Sequence, residues 1–135
     1  MPDTLIRMNP ATLPDAGKAG YSQITVADPG RLAFVSGQVA WASEGSVVPE
    51  TLEAQTKQVI ENLSRALEAV NAGPRDIVQM RIYMTDLNDE NMGIAMTQIA
   101  VFLDGVKPSL TGVGVADLAG PDLKIEVEMI VQIPT

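Results

Sequence analysis

The residues best suited to chemistry lie in the last quarter of the chain. Lys124, Glu126 and Glu128 alternate with Leu123, Ile125, Val127, Met129, Val131 and Ile133, so an extended segment here puts charged groups on one face and an apolar row on the other. Just before it, Pro108 to Ala116 forms a second extended run in which Gly112 and Gly114 stand among Thr111, Val113 and Val115. Glycine inside a strand removes a side chain and lets another group approach the backbone. Carboxylates beside bare backbone suit a small-molecule site. The same residues also suit a tightly packed hairpin with a solvated charged face, and the pattern alone leaves both readings open. A comparable patch is Ser36, Gly37 and Gln38, which interrupts the apolar Ala33, Phe34 and Val35 before Val39 and Ala40 resume. Such a break marks either a bulge or a place where a ligand meets the backbone.

Two absences narrow the chemistry. The 135 residues include no Cys and no His, which removes disulfides, cysteine nucleophiles, Ser-His-Asp triads and histidine metal ligands. A proton carrier must then be Glu, Asp, Tyr or Lys, working directly or through water. Asp86, Asp89 and Glu90 are the tightest acidic cluster, and they read as a helix start rather than a metal site. With 9 Lys and Arg against 17 Asp and Glu, the formal charge is −8. No basic run exists to neutralise phosphates, so neither nucleic acid nor an anionic membrane is an expected partner. No apolar stretch approaches the ~20 residues of a bilayer span, and Met1 to Met8 carry no signal-peptide pattern, which makes a cytoplasmic protein the expectation.

The elements that would position these residues read as one domain over residues 1–135. A brief strand at Leu5 and Ile6 precedes an irregular lead-in. Tyr21 to Val26 and Leu32 to Trp41 are strand-like and separated by Asp28, Pro29, Gly30 and Arg31, which predicts a hairpin. From Pro49, Leu52, Val59, Leu63, Leu67 and Val70 recur at helical spacing, and Gly73 with Pro74 predicts a left-handed cap and a stop. Ile77 to Thr85 alternates as a strand. Asp86 or Asn88 can cap a second helix whose inner face would use Met92, Ala95, Met96, Ile99 and Phe102, ending near Gly105. Two helices cover only one face of about six strands. The other face, partly apolar, is expected to be buried against further copies of the chain.

Several segments taken together resemble the Rid family, the YjgF-like reactive intermediate deaminases. They are Tyr21-Ser22-Gln23, Phe34 to Val39, Gln55 to Gln58 with Glu61-Asn62-Leu63, Asp76-Ile77-Val78 leading to Tyr83 through Asp89, and Lys124 to Glu128. The resemblance runs in order from about Tyr21 to Ile133. It implies an α+β, chorismate-mutase-like fold: a six-stranded, mostly antiparallel mixed sheet with two helices on one face, assembled as a homotrimer with barrel-like packing of the sheets and a small-molecule ligand in each subunit cleft. It further implies hydrolysis of enamines and imines to carbonyl products and ammonia, with no metal or organic cofactor. In that family an arginine binds the substrate carboxylate, and a glutamate on the last strand positions water or moves a proton.

Carried over residue by residue, the resemblance makes Glu126 the catalytic carboxylate and Tyr21, Ser36, Gly37, Leu110 and Gly112 substrate-binding positions. Leu110 stands where the family has its arginine, and Gly112 where its best-known members have cysteine. Leucine cannot reproduce a bidentate, charge-assisted pair, so a less polar and roomier pocket with an altered substrate preference is expected. Another arginine, Arg31 or Arg81, could reach in from a neighbouring subunit, though no local pattern supports either. The alternative is a non-catalytic trimer that binds a small metabolite. Ribonuclease activity fits least, given the negative charge and the lack of histidine.

Overall fold

The computed structural model describes residues 5–135, so part of the Met1 to Met8 stretch lies outside the described residues. The elements are β1 (Ile6–Met8), β2 (Ile24–Val26), β3 (Leu32–Gln38), α1 (Leu52–Ala69), β4 (Ile77–Met84), α2 (Asp89–Leu103), β5 (Ser109–Gly114) and β6 (Ile125–Gln132), with short 3-10 turns at Gly17–Ala19 and Pro74–Asp76. β3, β6, β4 and β5 form one four-stranded sheet in that spatial order, while β1 and β2 form a separate two-stranded ribbon. Among the described strands only β4 and β5 pair in parallel; the other strand pairs are antiparallel. Among the described residues no helix is long and apolar enough to cross a membrane.

Three sequence expectations change here. A single six-stranded sheet gives way to four strands plus a ribbon. The Asp28 to Arg31 turn does not close a hairpin, because β2 pairs with β1 (Ile6 opposite Val26) rather than with β3. Nor do β5 and β6 form the hairpin considered above: β6 inserts between β3 and β4, and β5 takes the outer edge. Hydrogen bonds tie the ribbon and the turn after it to the sheet. Thr25 Oγ1 lies 2.8 Å from Ser109 Oγ, and Ser22 N–H donates to the Pro108 carbonyl at 3.0 Å. Gln132 then holds Asp28 at both its N–H (3.1 Å) and its carbonyl (2.7 Å). The ribbon is thus fastened to β5, and the turn that follows it to β6.

The helices form where the apolar spacing required, with different end signals. Thr51 caps α1 by accepting from Ala54 N–H at 3.1 Å. At the other end Asn71, not Gly73, takes the left-handed conformation (φ 54°), and Gly73 is extended (φ −134°). Ala72 N–H and Asn71 N–H donate to the carbonyls of Leu67 and Glu68, the paired bonds of a Schellman ending. Asn88 is the cap of α2, accepting from Asn91 N–H at 2.8 Å, and Asp104 (φ 48°) with Gly105 (φ 87°) ends that helix.

Both helices lie on one face of the sheet. Val59, Leu63 and Leu67 of α1 and Ala95, Ile99 and Leu103 of α2 bury against Met80, Ile82 and Met84 of β4 and Ile125, Val127, Met129 and Val131 of β6. Leu103 joins this set while Phe102 stays partly buried, because position 103 continues the four-residue spacing from Ala95 and Ile99. β6, paired on both sides and apolar on its inner face, is the centre of the core.

Candidate functional site

The face of the sheet turned away from the helices carries the polar chemistry. Period two sends Glu126, Glu128 and Ile130 of β6, Gln79, Arg81 and Tyr83 of β4, and Leu32, Phe34 and Ser36 of β3 to this side. Antiparallel register then fixes neighbours: Tyr83 lies opposite Glu126, and Arg81 opposite Glu128. Phe34, paired with Ile130, is 73% exposed.

The register of β3 against β6 slips between Val35 and Gln38, so the Ser36-Gly37 break is a bulge. It brings bare backbone under the Glu126 side chain. A Cβ built on Gly37 would lie 2.7 Å from Glu126 Cγ and closer still to its carboxyl group. Gly37 is thus the residue that allows Glu126 to lie flat across the strand, and any side chain at position 37 would displace the carboxylate.

Beside Glu126, the Tyr83 hydroxyl donates to Glu128 Oε1 at 2.5 Å, and Arg81 Nη1 lies 3.7 Å from the same oxygen. The Glu128 carboxylate, by accepting that hydrogen bond, raises the Tyr83 pKa above the usual 10.0; burial adds to the effect and the Arg81 cation opposes it. Phe34, Val35, Gln79, Arg81, Glu128, Met129 and Ile130 enclose a recess of about 180 Å³ on this face. Tyr83 and Arg81 were visible in the sequence as one side of an alternating strand, but only the β4–β6 register identifies the carboxylates they meet.

The six site residues taken from the resemblance fall into three places. Ser36, Gly37 and Glu126 come together at the bulge. Tyr21 lies toward the opposite end, next to Ser22, which bridges Ser109 at the start of β5. Leu110 and Gly112 pair with Met80 and Ile82 and share their side of the sheet, the helix side. Leu110 packs against the core. The methyl of Met92 lies 2.9 Å from where a Gly112 Cβ would sit, so α2 fills the space that glycine vacates. The roomier pocket expected there is taken up by a thioether. Among the described residues no cluster of acidic side chains has the geometry of a metal site.

Fold and site together describe an α+β protein with a carboxylate-bearing sheet face, and solved structures share the fold. The family described as Endoribonuclease L-PSP matches residues 13–133. The chain is 35% identical over 103 residues to a RutC family protein of Pyrococcus abyssi, covering 75% of this chain and 78% of that one. It is 33% identical over 105 residues to the 2-iminobutanoate/2-iminopropanoate deaminase of Salmonella typhimurium, covering 76% and 80%. Among solved structures, a Rid family protein of unknown function, YyfB from Yersinia pestis, superposes with a TM-score of 0.88 at 34% identity over 96% of this chain and 98% of that one. RidA from Psychrobacter sp. gives 0.70 at 28% identity over 84% and 88%. The chain belongs to the Rid (YjgF-like) family.

Proposed function

We propose that this protein hydrolyses a small enamine or imine to a carbonyl compound and ammonia, with water as the only co-reactant. The observation that carries this reading is the Glu126 carboxylate lying over the Gly37 backbone on an accessible sheet face, in a chain similar to a 2-iminobutanoate/2-iminopropanoate deaminase. Glu126 takes a proton from water as the water oxygen bonds to the imine carbon. That proton passes to nitrogen to give the carbinolamine, the new hydroxyl's proton then follows it to nitrogen by way of Glu126, and the C–N bond breaks so that ammonia leaves as the carbonyl forms. An enamine enters this route once a proton gained at its β-carbon and a proton lost from its nitrogen convert it to the imine.

The site is shared between copies. Leu110 and Gly112 lie across the sheet from Glu126 within one chain, so a cleft holding both sets needs the β5 edge of a neighbour beside the Ser36-Gly37-Glu126 end. A homotrimer with a ligand in each such cleft fits that requirement, and the exposed Phe34 and Leu32 fit burial between copies. The Met92 methyl over Gly112 and the apolar Leu110 favour a less polar substrate than one recognised by arginine at position 110. The same apolar wall supports the second reading, a trimer that binds a small metabolite without turning it over.

Ammonia release from freshly generated 2-iminobutanoate and bulkier imines tests the proposal. Glu126→Gln is expected to retain the fold and lose at least a hundredfold in rate, the usual weight of a positioned acid–base group. A wild-type protein silent across the panel but stabilised by one of the carbonyl compounds would leave the binding reading in its place.

A further inference from the structure

Glu126 and Glu128 stand two residues apart on β6 and face the same side of the sheet, which puts their Cα atoms about 7 Å apart. Glutamate side chains at this spacing are long enough to turn towards one another, and carboxylates that meet take up protons as a coupled pair rather than singly. In this chain they turn to opposite neighbours. Glu128 leans to β4, where the Tyr83 hydroxyl donates to its Oε1 at 2.5 Å. Glu126 leans to β3, where its carboxyl group lies over the Gly37 backbone. There it has no hydrogen-bond or ion-pair partner among the described residues.

Register accounts for this division. Tyr83 is directly opposite Glu126, and Arg81 directly opposite Glu128. An aromatic side chain spans the diagonal to the next residue but one on the partner strand, about 7–8 Å away, so the Tyr83 ring passes beside Glu126 while its hydroxyl reaches Glu128. Arg81 adds attraction from 3.7 Å, beyond the ~2.8 Å of a charge-assisted hydrogen bond, so the hydroxyl is what fixes the Glu128 oxygen. Around Glu126 the charged and titratable groups on this face are Arg81 and Tyr83 from β4 and Lys124 and Glu128 from its own segment; β3 brings none, and neither does the β5 strand proposed to come from a neighbouring copy.

We propose that Tyr83 is a positioning residue: by holding Glu128 to β4 it separates the two carboxylates and leaves Glu126 as the one free to move a proton. Tyr83 touches no reacting atom and acts only through Glu128. The catalytic consequence rests on the hydrolase reading; the separation of the two carboxylates does not.

The test is a double-mutant cycle of wild type, Tyr83→Phe, Glu128→Gln and the two combined, with the fold of each checked by circular dichroism. Tyr83→Phe keeps the ring and removes only the hydroxyl. In protein labelled with 13C at the glutamate carboxyl groups, the Glu126 resonance, assigned with Glu126→Gln, is expected to titrate in one step in wild type and in two in Tyr83→Phe, where the released Glu128 couples to it. In imine hydrolysis, the acid limb of kcat/KM is expected to move up by about half a pH unit in Tyr83→Phe, because a freed negative charge nearby favours the protonated carboxyl. With Glu128→Gln in the background there is nothing to release, and both readouts should be indifferent to Tyr83→Phe. An architectural Tyr83 would lower kcat/KM alike at every pH and with either residue at position 128, which overturns the proposal. So does a two-step titration in wild type, or a one-step titration in Tyr83→Phe. Absent turnover with the titrations as expected sinks hydrolysis alone, whereas Glu126-dependent turnover with an acid limb unmoved by Tyr83→Phe sinks the positioning role alone.

Discussion

Tyr83 shows how one residue can organise an ionic face. Its hydroxyl stays protonated because the Glu128 carboxylate accepts from it, with burial as a second cause and Arg81 as a partial counterweight. A group whose pKa is raised by folding adds stability that is present below its unfolded value and lost as pH rises through the folded one. The contribution is therefore constant through neutral pH and disappears only above pH 10.0, the ordinary tyrosine value. Denaturation midpoints measured across alkaline pH are expected to fall more steeply in wild type than in Tyr83→Phe, and the tyrosinate absorbance change above that pH should shrink in the variant, which keeps one of the chain's two tyrosines. Identical alkaline profiles would show that the Tyr83–Glu128 bond does not persist in solution. Gly37 has the complementary role: it contributes no group of its own and exists to make room for Glu126.

At the scale of elements, β6 carries the acidic side chains, and Gln55 of α1 anchors the start of that strand. Gln55 is fully buried. Its amide donates to the carbonyls of Pro49 and Asp122 at 2.9 and 2.8 Å, and its oxygen accepts from Lys124 N–H at 2.8 Å. One side chain thus joins the approach to α1, the loop before β6 and the first residue leading into β6. Gln55→Leu keeps the bulk and leaves three polar backbone groups unpaired, each costing about 1–3 kcal/mol if it stays dry. Relaxation and water entry will recover part of this. Chemical denaturation is expected to show a loss of about 3 kcal/mol, with Glu126-dependent activity falling as the β6 start loosens. A loss below 1 kcal/mol would show that water replaces the amide without penalty.

For the whole molecule, the balance is between apolar surface and charge. Phe34 and Leu32 are exposed on the sheet face, and Ile6, Met8, Ile24 and Val26 line one side of the ribbon, where register pairs Ile6 with Val26 and Met8 with Ile24. Burying a side chain of this size contributes about 1.5–3 kcal/mol, and a closed oligomer gains it once per copy. The charge of −8 opposes assembly, and salt screens that repulsion. Sedimentation is expected to give a mass three times the 14.3 kDa of one chain, more completely at moderate than at very low ionic strength. Phe34→Asp should shift it towards monomer without loss of helical signal. A monomeric wild type would overturn the proposed trimer and, with it, the proposed site shared between copies.

The sequence by itself determined the local elements, because helix spacing, strand alternation and caps depend on residues close in the chain. It also set the available chemistry, since a chain without His or Cys leaves carboxylates, tyrosine and lysine to move protons. Family membership was readable for the same reason, from short segments in the right order. What it left open was everything that depends on pairing between distant segments. Asp28 to Arg31 has the residues of a hairpin turn, yet β2 pairs with β1 and is held to β5 through Ser109. Gly112 promised an empty space, which Met92 fills from another element. Arg81 and Glu126, far apart in sequence, become diagonal neighbours only through the register of β4 on β6. Registers and faces are set by which apolar rows can share one core, a property of the assembled layers rather than of any single stretch.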